Sequence, residues 1–558
     1  MAKEIRNILF IMYDQLRHDY LGCTGHPYLK TPNMDWLASQ GVRFSNCYVQ
    51  SPICGSSRMS TYTGRYVHSH GAQRNNFPLK VGEQTMGDHL RKIGMECWLI
   101  GKTHMTVDAE GLSRLGIAED GVIGARLSEC GFDIHTRDDG LWAEGPDGFY
   151  DEKRSPYNEY LKAKGYGGDN PWGDFANAGA VDGDIASGWF MRHADKPANI
   201  KNEDSETPWL TRQAIDFMEG KRDSDVPWLA HVSYIKPHWP YIVPAPYHDM
   251  YGPNQVKPVV RDDGELDDPH PVYNAFMSNP IGQAFSRDEV RAKVIPTYMG
   301  LIKQCDDELG NLLEYMRESG AIEDTLIVLT SDHGDYLGDH WLGEKDLFHD
   351  PSVKVPLIIF DPTEAADGTR GTVCDALCEA IDLVPTFVDA KGGEVPDHIL
   401  EGRSLMPYLH GLVPEEWRDF AVSEYDFSSS GAANALGLAP CDARLFMIVD
   451  HKWKFIHAEG GFRPLLFDLE NDPQELVDLG GVAGQSEVMD LMYQRLGVWA
   501  RRLSQRTATS DKTVRAMRKG SNRQGILLGV FDEGDVPAEL SVKYRRKVPD
   551  VTGAAADE

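Results

Sequence analysis

Residues 7–15, Asn-Ile-Leu-Phe-Ile-Met-Tyr-Asp-Gln, decide the fold of this chain. Residues 8–13 are all apolar, and such a run predicts a strand that is buried on both faces of a parallel sheet. Asp14 and Gln15 follow at the carboxyl end of this strand. Open α/β sheets bind ligands beyond the carboxyl ends of their strands, so both side chains are candidates for a functional site. Taken alone, Asp14 is also interpretable as a helix N-cap or a turn residue.

Chargeable residues follow three further predicted strands. They are Lys102 and His104 after residues 96–100, His238 after residues 228–235, and Asp332 and His333 after residues 325–330. A single lysine or histidine after a strand is commonplace, and His238 alone is as well explained by a structural turn. The carboxyl ends of parallel strands meet at one sheet edge, however. The strands that end in Asp-Gln and Asp-His therefore predict four metal-ligating side chains at that edge.

Residues 51–65, Ser-Pro-Ile-Cys-Gly-Ser-Ser-Arg-Met-Ser-Thr-Tyr-Thr-Gly-Arg, predict an irregular segment that becomes a helix at Cys54. The unpaired N–H groups and the dipole of a helix N-terminus stabilise a thiolate there. Arg58 lies one turn later on the same helix face. The pair indicates a nucleophile beside a fixed cation, suited to an anionic substrate. The competing interpretation is a buried cysteine that acts as a small apolar residue.

The composition excludes some classes of partner. The chain has 558 residues and a net charge of −30, from 86 acidic and 56 basic residues. This charge argues against nucleic acid or an anionic membrane as a partner, although a locally positive pocket can still bind a small anion. No window is apolar for long enough to span a membrane, and the N-terminus lacks the features of a secretory signal. The nine cysteines show no paired spacing, so we expect a reducing, cytoplasmic location.

The pattern of predicted secondary structure changes near residue 415. Residues 1–415 predict a catalytic α/β domain with a large mixed, mostly parallel sheet flanked by helices. Residues 416–505 contain short strands with turns and then an amphipathic helix, which predicts a smaller antiparallel sheet plus helix. Residues 506–558 are interpreted as an arm or tail, with an oligomer contact as its candidate role. Residues 107–205 have poor periodicity and are interpreted as long loops over the active face.

Six motifs, in this order, resemble the sulfatase branch of the alkaline phosphatase superfamily. They are Asp14-Gln15 after a strand, Cys54-x-x-x-Arg58 with Thr63-Gly64-Arg65, Gly101-Lys102-x-His104, Pro237-His238-x-Pro240, Ser331-Asp332-His333-Gly334-Asp335, and Phe467-Asp468-Leu469-x-x-Asp472-Pro473-x-Glu475. The likeness covers nearly the whole chain and implies an alkaline phosphatase-like fold. The Cys-Gly pair, Asp-Gln and residues 424–427 look closest to the arylsulfatases and phosphonate monoester hydrolases of that branch.

The resemblance also implies a mechanism. In such enzymes a modifying machinery oxidises the cysteine, here Cys54, to formylglycine, whose aldehyde is hydrated to a gem-diol. One hydroxyl, coordinated to a divalent cation, attacks sulfur or phosphorus and expels the alcohol. The second hydroxyl helps to eliminate the inorganic anion and regenerates the aldehyde. The cysteine is thus the precursor of a covalent catalyst.

The resemblance also implies a role for each residue at a matching position. Asp14, Gln15, Asp332 and His333 would bind the metal together with residue 54. Arg58 would support residue 54, and Asn75 would line the pocket. The anionic oxygens would be bound by Lys102, His104, His238 and Lys345, and one of the histidines would protonate the leaving oxygen. Oxygen ligands plus one imidazole suit Ca²⁺ or Mn²⁺, with the nitrogen favouring Mn²⁺.

Two departures from the family pattern bear on function. The usual modification motif has Pro or Ala two residues after the cysteine, whereas this chain has Ser56. Phosphonate monoester hydrolases tend to carry Tyr and Thr at the positions of Lys102 and His104, which follow the sulfatase pattern. We therefore expect a sulfatase for sulfate monoesters with side activity on phosphodiesters and phosphonate monoesters.

Two alternatives stay open. One is a phosphonate monoester hydrolase or phosphodiesterase proper, and the other is a non-catalytic metal-binding homologue. The resemblance further implies a dimer or tetramer. Nothing in the sequence names the natural alcohol of the substrate.

Overall fold

The computed structural model describes residues 4–140, 155–502 and 509–520 and the single residues 532, 534 and 538. Met1–Val395 and Leu400–Leu503 form one compact unit, and Pro396–Ile399 with Ser504–Glu558 form a second. In the second unit the described regular structure is one helix, Asp511–Gly520. Most of the arm predicted at 506–558 lies outside the described residues. All statements below concern the first unit.

Three sheets contain the strands of the described chain. The strands are β1 Asn7–Asp14, β2 Val42–Tyr48, β3 Glu96–Gly101, β4 Asp133–Arg137, β5 Ala178–Val181, β6 Asp184–Ser187, β7 Trp228–Pro237, β8 Thr325–Ser331, β9 Lys354–Phe360, β10 Thr372–Glu379, β11 Ala421–Asp426, β12 Arg444–Val449, β13 Trp453–Ala458 and β14 Leu465–Asp468. The central sheet has eight strands in the order β10-β2-β9-β8-β1-β7-β3-β4. Neighbours run parallel except at β9, which is antiparallel to β2 and β8. The predicted mixed, mostly parallel sheet is thus confirmed.

Helices cover both faces of this sheet. In chain order they are α1 Pro32–Gln40, α2 Cys54–Thr63, α3 Val67–His70, α4 Met86–Arg91, α5 Ala109–Leu115, α6 Val122–Ser128, α7 Pro156–Ala163, α8 Glu206–Gly220, α9 Pro271–Met277, α10 Pro280–Phe285, α11 Asp288–Ser319, α12 Asp350–Val353, α13 Leu383–Ala390, α14 Met406–Leu409, α15 Gly431–Leu436 and α16 Ser486–Arg502.

The alternation of side chains along β1 assigns a set of helices to each face. Leu9, Ile11 and Tyr13 belong to one core cluster with residues of α1, α8 and α11. Ile8, Phe10 and Met12 belong to the other cluster, with residues of α2, α4 and α13. Every residue of β1 is buried. The continuous apolar run therefore marks a strand with both faces covered.

The four strands β8, β1, β7 and β3 are neighbours in the sheet and run parallel. Their carboxyl ends therefore meet at one edge. Helix α2 begins beside this edge at Cys54 and ends at Thr63, where Gly64 adopts φ 66°. That left-handed conformation suits glycine, which ends the helix as the sequence predicts.

The smaller sheet is antiparallel in the order β11-β12-β13-β14, and α16 follows it. This agrees with the predicted C-terminal sheet plus helix, while the division into separate domains at 415 and 505 stays a prediction. Residues 107–205 contain α5, α6, α7 and three short strands, so their interpretation as structureless loops was wrong. In the described part of the chain, no helix is both long and apolar enough to cross a membrane.

Candidate active site

Cys54 is the first residue of α2 and is completely buried. Its Sγ lies 2.9 Å from Nζ of Lys345, 3.0 Å from Nε2 of His333 and 3.8 Å from Oδ1 of Asp14. A small apolar core residue would not be ringed by a lysine, a histidine and a carboxylate. The surroundings of Cys54 are therefore those of a reactive group.

The strand order accounts for two of these neighbours. Asp14 ends β1, and Asp332 and His333 follow the adjacent strand β8. One ligating atom from each of Asp14, Cys54, Asp332 and His333 lies within 4.8 Å of the others. Gly334 lets the loop after β8 approach α12, because a Cβ there would lie 1.9 Å from the carbonyl oxygen of Pro351.

Arg58 lies beneath this cluster and is also fully buried. Its Nε donates to Oδ2 of Asp332 at 2.8 Å, and its Nη2 donates to Oδ2 of Asp14 at 3.2 Å. Its Nη1 donates to Oγ of Ser233, a residue within β7, at 2.7 Å. Nζ of Lys102 lies 2.6 Å from Oδ2 of Asp14. Both buried carboxylates are thus paired with cations.

Gln15 adds an amide oxygen to this group of possible metal ligands. Its backbone has φ 66°. Its Nε2 donates to Oδ2 of Asp335 at 2.6 Å and to the hydroxyl of Tyr241 at 3.2 Å, and Tyr241 donates to the same Oδ2 at 2.6 Å. Its Oε1 is buried and has no hydrogen-bond partner among the described residues. Burying an amide oxygen without a partner costs free energy, so Oε1 of Gln15 is suited to bind a cation.

The predicted substrate-binding residues line one cavity of about 190 Å³, together with three tryptophans. They are Asn75, Lys102, His104, His238 and Lys345. Asn75 accepts a hydrogen bond from the backbone N–H of Gly55 at 2.7 Å. His104 adopts φ 56°, and Oδ1 of Asp139 accepts from its backbone N–H at 3.1 Å. Such left-handed non-glycine residues cluster at functional sites.

Electrostatics favour a negative group at the start of α2, where Cys54 lies. Burial raises the pKa of the Cys54 thiol, but the charges of Lys345, His333 and Lys102 outweigh burial and hold this pKa well below its usual range. Burial, with Lys345 beside it, lowers the pKa of His238 to about 4. Its neutral Nε2, 3.1 Å from Nζ of Lys345, can therefore accept a hydrogen bond from the ammonium.

The structure brings every predicted site residue to the same sheet edge, from Asp14 to Lys345. The sequence argument gave no role to Asp335 and Tyr241, which hold the amide of Gln15. Asp335 stands in the quoted motif after β8, so its position was the available signal. Tyr241 and the tryptophans of the cavity carried no such signal.

Comparisons with known proteins cover nearly the whole chain. Residues 6–393 match the sulfatase family, and residues 338–501 match the C-terminal region of N-sulphoglucosamine sulphohydrolase. Multifunctional alkaline phosphatase superfamily protein PehA of Trinickia caryophylli is 30% identical over 93% of this chain and 98% of that protein. An arylsulfatase of Clostridium perfringens is 29% identical over 88% of this chain and 93% of that protein.

A solved structure gives the same result. Phosphonate monoester hydrolase SpPMH from Silicibacter pomeroyi superposes with a TM-score of 0.78 at 28% identity, over 90% of this chain and 96% of that chain. The family match alone spans well over half of the residues. The protein therefore belongs to the sulfatase family, and it is a sulfuric ester hydrolase of the alkaline phosphatase superfamily.

Proposed function

We propose that this protein hydrolyses sulfate monoesters with a nucleophile made from Cys54 by oxidation to formylglycine. The observation that carries the proposal is the position of Cys54 at the start of α2, in contact with Lys345 and His333. Sγ of the unmodified residue stands in for the oxygen of the modified one, since both are attached to the same Cβ. The cations around Sγ would surround that oxygen as well.

A divalent cation fits the residues at the sheet edge. Asp14, Gln15, Asp332 and His333 would hold it, and the buried Oε1 of Gln15, which has no hydrogen-bond partner among the described residues, is available as a ligand. Two carboxylates, an amide oxygen and an imidazole suit Mn²⁺ or Ca²⁺. Such an ion supplies Lewis acidity and lowers the pKa of a coordinated hydroxyl.

The side chains of the chain itself divide the remaining tasks. Lys102 and Lys345 line the cavity as fixed cations and would bind the oxygens of the ester anion. Arg58 forms ion pairs with both Asp14 and Asp332, so each of these buried carboxylates has a cation beside it. His104 and His238 line the same cavity, and His104 is the candidate for protonating the leaving oxygen, because Nε2 of His238 lies 3.1 Å from Nζ of Lys345 as a hydrogen-bond acceptor.

Ser56 does not disturb this geometry. It is fully buried in the first turn of α2, and its hydroxyl has no hydrogen-bond partner among the described residues. Proline is tolerated in the first turn of a helix, so Pro and Ser are both compatible with the fold here. Whether Ser56 is accepted by the modifying machinery is therefore a question about that machinery rather than about the folded site.

A second candidate activity is hydrolysis of phosphonate monoesters or phosphodiesters. It is favoured by the likeness to phosphonate monoester hydrolase SpPMH and by the relative whose name describes it as multifunctional. These substrates, like sulfate monoesters, are tetrahedral monoanions, so one set of cations can bind them all. Lys102 and His104 favour sulfate as the better substrate. A non-catalytic homologue would have no use for the complete set of ligands and cations.

The remaining proposals concern the partners, the location and the assembly of the enzyme. Its partners would be a small anionic ester and a formylglycine-generating machinery, with neither nucleic acid nor membrane. All nine cysteines are free thiols, which supports a reducing cytoplasm. A homodimer or homotetramer is the proposed assembly.

Paired substrates test the proposed activity. Steady-state kcat/KM would be measured for 4-nitrophenyl sulfate and for a 4-nitrophenyl phosphonate monoester, which share one leaving group. The proposal predicts the higher value for the sulfate and loss of both activities in Cys54→Ala. A higher value for the phosphonate would instead establish the second candidate, and unchanged turnover in Cys54→Ala would overturn the nucleophile.

A further inference from the structure

Trp189 lines two cavities at once. One is the active-site cavity with Lys102 and Lys345, and the other is a larger outer cavity of about 490 Å³. The outer cavity is lined by Trp189, Phe190, Met191, Arg192, Arg287, Glu289, Val290 and Lys293. The two cavities are therefore neighbours, and Trp189 is the lining residue that they share.

The inner cavity is small. Its volume of about 190 Å³ is below the range of roughly 300–1,000 Å³ that is usual for pockets of drug-sized ligands. The ring centroids of Trp189 and Trp239 are 4.9 Å apart, and those of Trp172 and Trp189 are 6.3 Å apart. These rings touch one another and form a continuous wall. An alcohol with two rings would therefore extend beyond the inner cavity, and the outer cavity next to Trp189 is the candidate place for its distal ring.

The outer cavity has exposed aromatic surface. Phe190 is 59% exposed and Trp189 is 38% exposed, although both are large apolar side chains. They are consecutive residues just after β6, which ends at Ser187. Contiguous exposed apolar surface is a mark of interaction sites and ligand-binding grooves. They offer a platform on which a planar ring can stack.

Positive charge lies beside this platform. The guanidinium of Arg192 lies 5.3 Å from the ring centroid of Phe190, and its Nε donates to His193. Within residues 4–140, 155–502 and 509–520, no carboxylate forms an ion pair with Arg192. By contrast, Arg287 pairs with Glu289 at 3.4 Å, and Lys293 pairs with Asp195 at 3.1 Å. In a chain of net charge −30, Arg192 is thus a cation available to an anionic ligand.

We propose that the outer cavity is a second substrate subsite, which binds the distal ring of the alcohol and an anionic group on that ring. The ring would stack on Trp189 and Phe190, and a carboxylate or second sulfate would pair with Arg192. The substrate class is therefore an extended sulfate ester with two rings and two negative charges. This inference rests on the proposed function, because it places the reacting ester at Lys102 and Lys345.

A matched pair of substrates tests the subsite. They are 4′-carboxybiphenyl-4-yl sulfate and its uncharged methyl ester, with 4-nitrophenyl sulfate as the one-ring control. In Arg192→Gln we expect KM for the carboxylate substrate to rise about threefold to fivefold, the contribution of an exposed charge pair. KM for the methyl ester and for the one-ring substrate should not change. Phe190→Ala should raise KM for both two-ring substrates and leave the one-ring substrate unaffected.

Arg222→Gln is the control variant, because it removes the same charge from an exposed residue that does not line either cavity. It should leave all three KM values unchanged. The subsite is overturned if Arg192→Gln leaves the carboxylate substrate unaffected, or if it raises KM equally for the carboxylate and its methyl ester.

Binding of the product alcohol separates this result from the activity itself. Isothermal titration of 4′-hydroxybiphenyl-4-carboxylate needs no turnover, so it also applies if no sulfate ester is hydrolysed. Weaker binding to Arg192→Gln than to the wild type, by a similar factor, supports the subsite. Equal binding to the two proteins, or no binding to the wild type, contradicts it.

Discussion

Asp335→Asn tests whether the amide of Gln15 is held for a cation. Oδ2 of Asp335 accepts two hydrogen bonds, both 2.6 Å long, from Nε2 of Gln15 and from the hydroxyl of Tyr241. Oδ1 accepts from the backbone N–H of Leu337 at 2.9 Å. A carboxylate can only accept, so it fixes Nε2 of Gln15 towards itself and leaves Oε1 for the cation.

The amide that Asp335→Asn introduces would place an N–H group against one of these donors. Either Gln15 turns its Oε1 towards the introduced amide and presents an N–H group to the cation, or the N–H of Leu337 loses its acceptor. A hydrogen bond to a charged group contributes about 1.5–3 kcal/mol. At 1.4 kcal/mol per tenfold change, the affinity for Mn²⁺ should fall by about 10-fold to 100-fold.

The assay is isothermal titration of chelator-treated protein with Mn²⁺. Tyr241→Phe is the matched control, because it removes the hydroxyl that accepts from Gln15 and donates to Asp335 but leaves Asp335 to orient the amide. We expect its Mn²⁺ affinity to fall by less than that of Asp335→Asn, because the charged acceptor remains and the neutral hydrogen bond from Gln15 contributes only about 0.5–1.5 kcal/mol, or about tenfold at most. If Asp335→Asn bound Mn²⁺ as tightly as the wild type and kept the wild-type melting temperature, the role of Asp335 in orienting Gln15 would be refuted.

Three other predictions concern the buried charges. Arg58→Met leaves Asp14 and Asp332 without their buried partner; the free energy of unfolding in urea should fall by about 3–5 kcal/mol, and an unchanged midpoint would contradict this. Lys345→Met removes the cation 2.9 Å from Sγ of Cys54, so in unmodified, metal-free protein the pKa of this thiol should rise towards its ordinary value. Thiolate absorbance against pH, with Cys54→Ala as the blank, measures that rise, and an unchanged titration would exclude Lys345 as a cause of the low pKa. Mn²⁺ at 100 times its dissociation constant should stabilise the wild type by about 2.7 kcal/mol; Asp332→Asn should lose most of this stabilisation, and an equal gain in both proteins would place the ion elsewhere.

The sequence predicted the parts of the fold that depend on local pattern. The apolar run before Asp14 identified a strand with both faces buried, and the structure confirms it. Because the carboxyl ends of parallel strands meet at one edge, the sequence alone predicts that residues of four separate motifs lie close together. The metal and substrate roles of these residues remain proposals.

Other features depend on packing between distant segments. Lys345 lies in the loop after β8, and only the folded loop brings its Nζ to Cys54 and His238. Tyr241 meets Gln15 across 226 positions of the sequence. The described helices and strands within residues 107–205 are short, so the periodic pattern of the sequence there is weak. The hairpin of β5 and β6, which comes just before Trp189, was therefore not predicted. The local sequence pattern does not indicate such contacts between distant segments.

The central claim is that Cys54 becomes formylglycine, and one mass measurement addresses it most directly. The tryptic peptide 44–58 from protein of the native host contains Cys54 and also Cys47, a buried thiol with a raised pKa that serves as the internal control. Fragmentation of this peptide should locate an aldehyde at residue 54 and an intact thiol at residue 47. Intact thiols at both positions, in protein that hydrolyses sulfate esters, would contradict the claim.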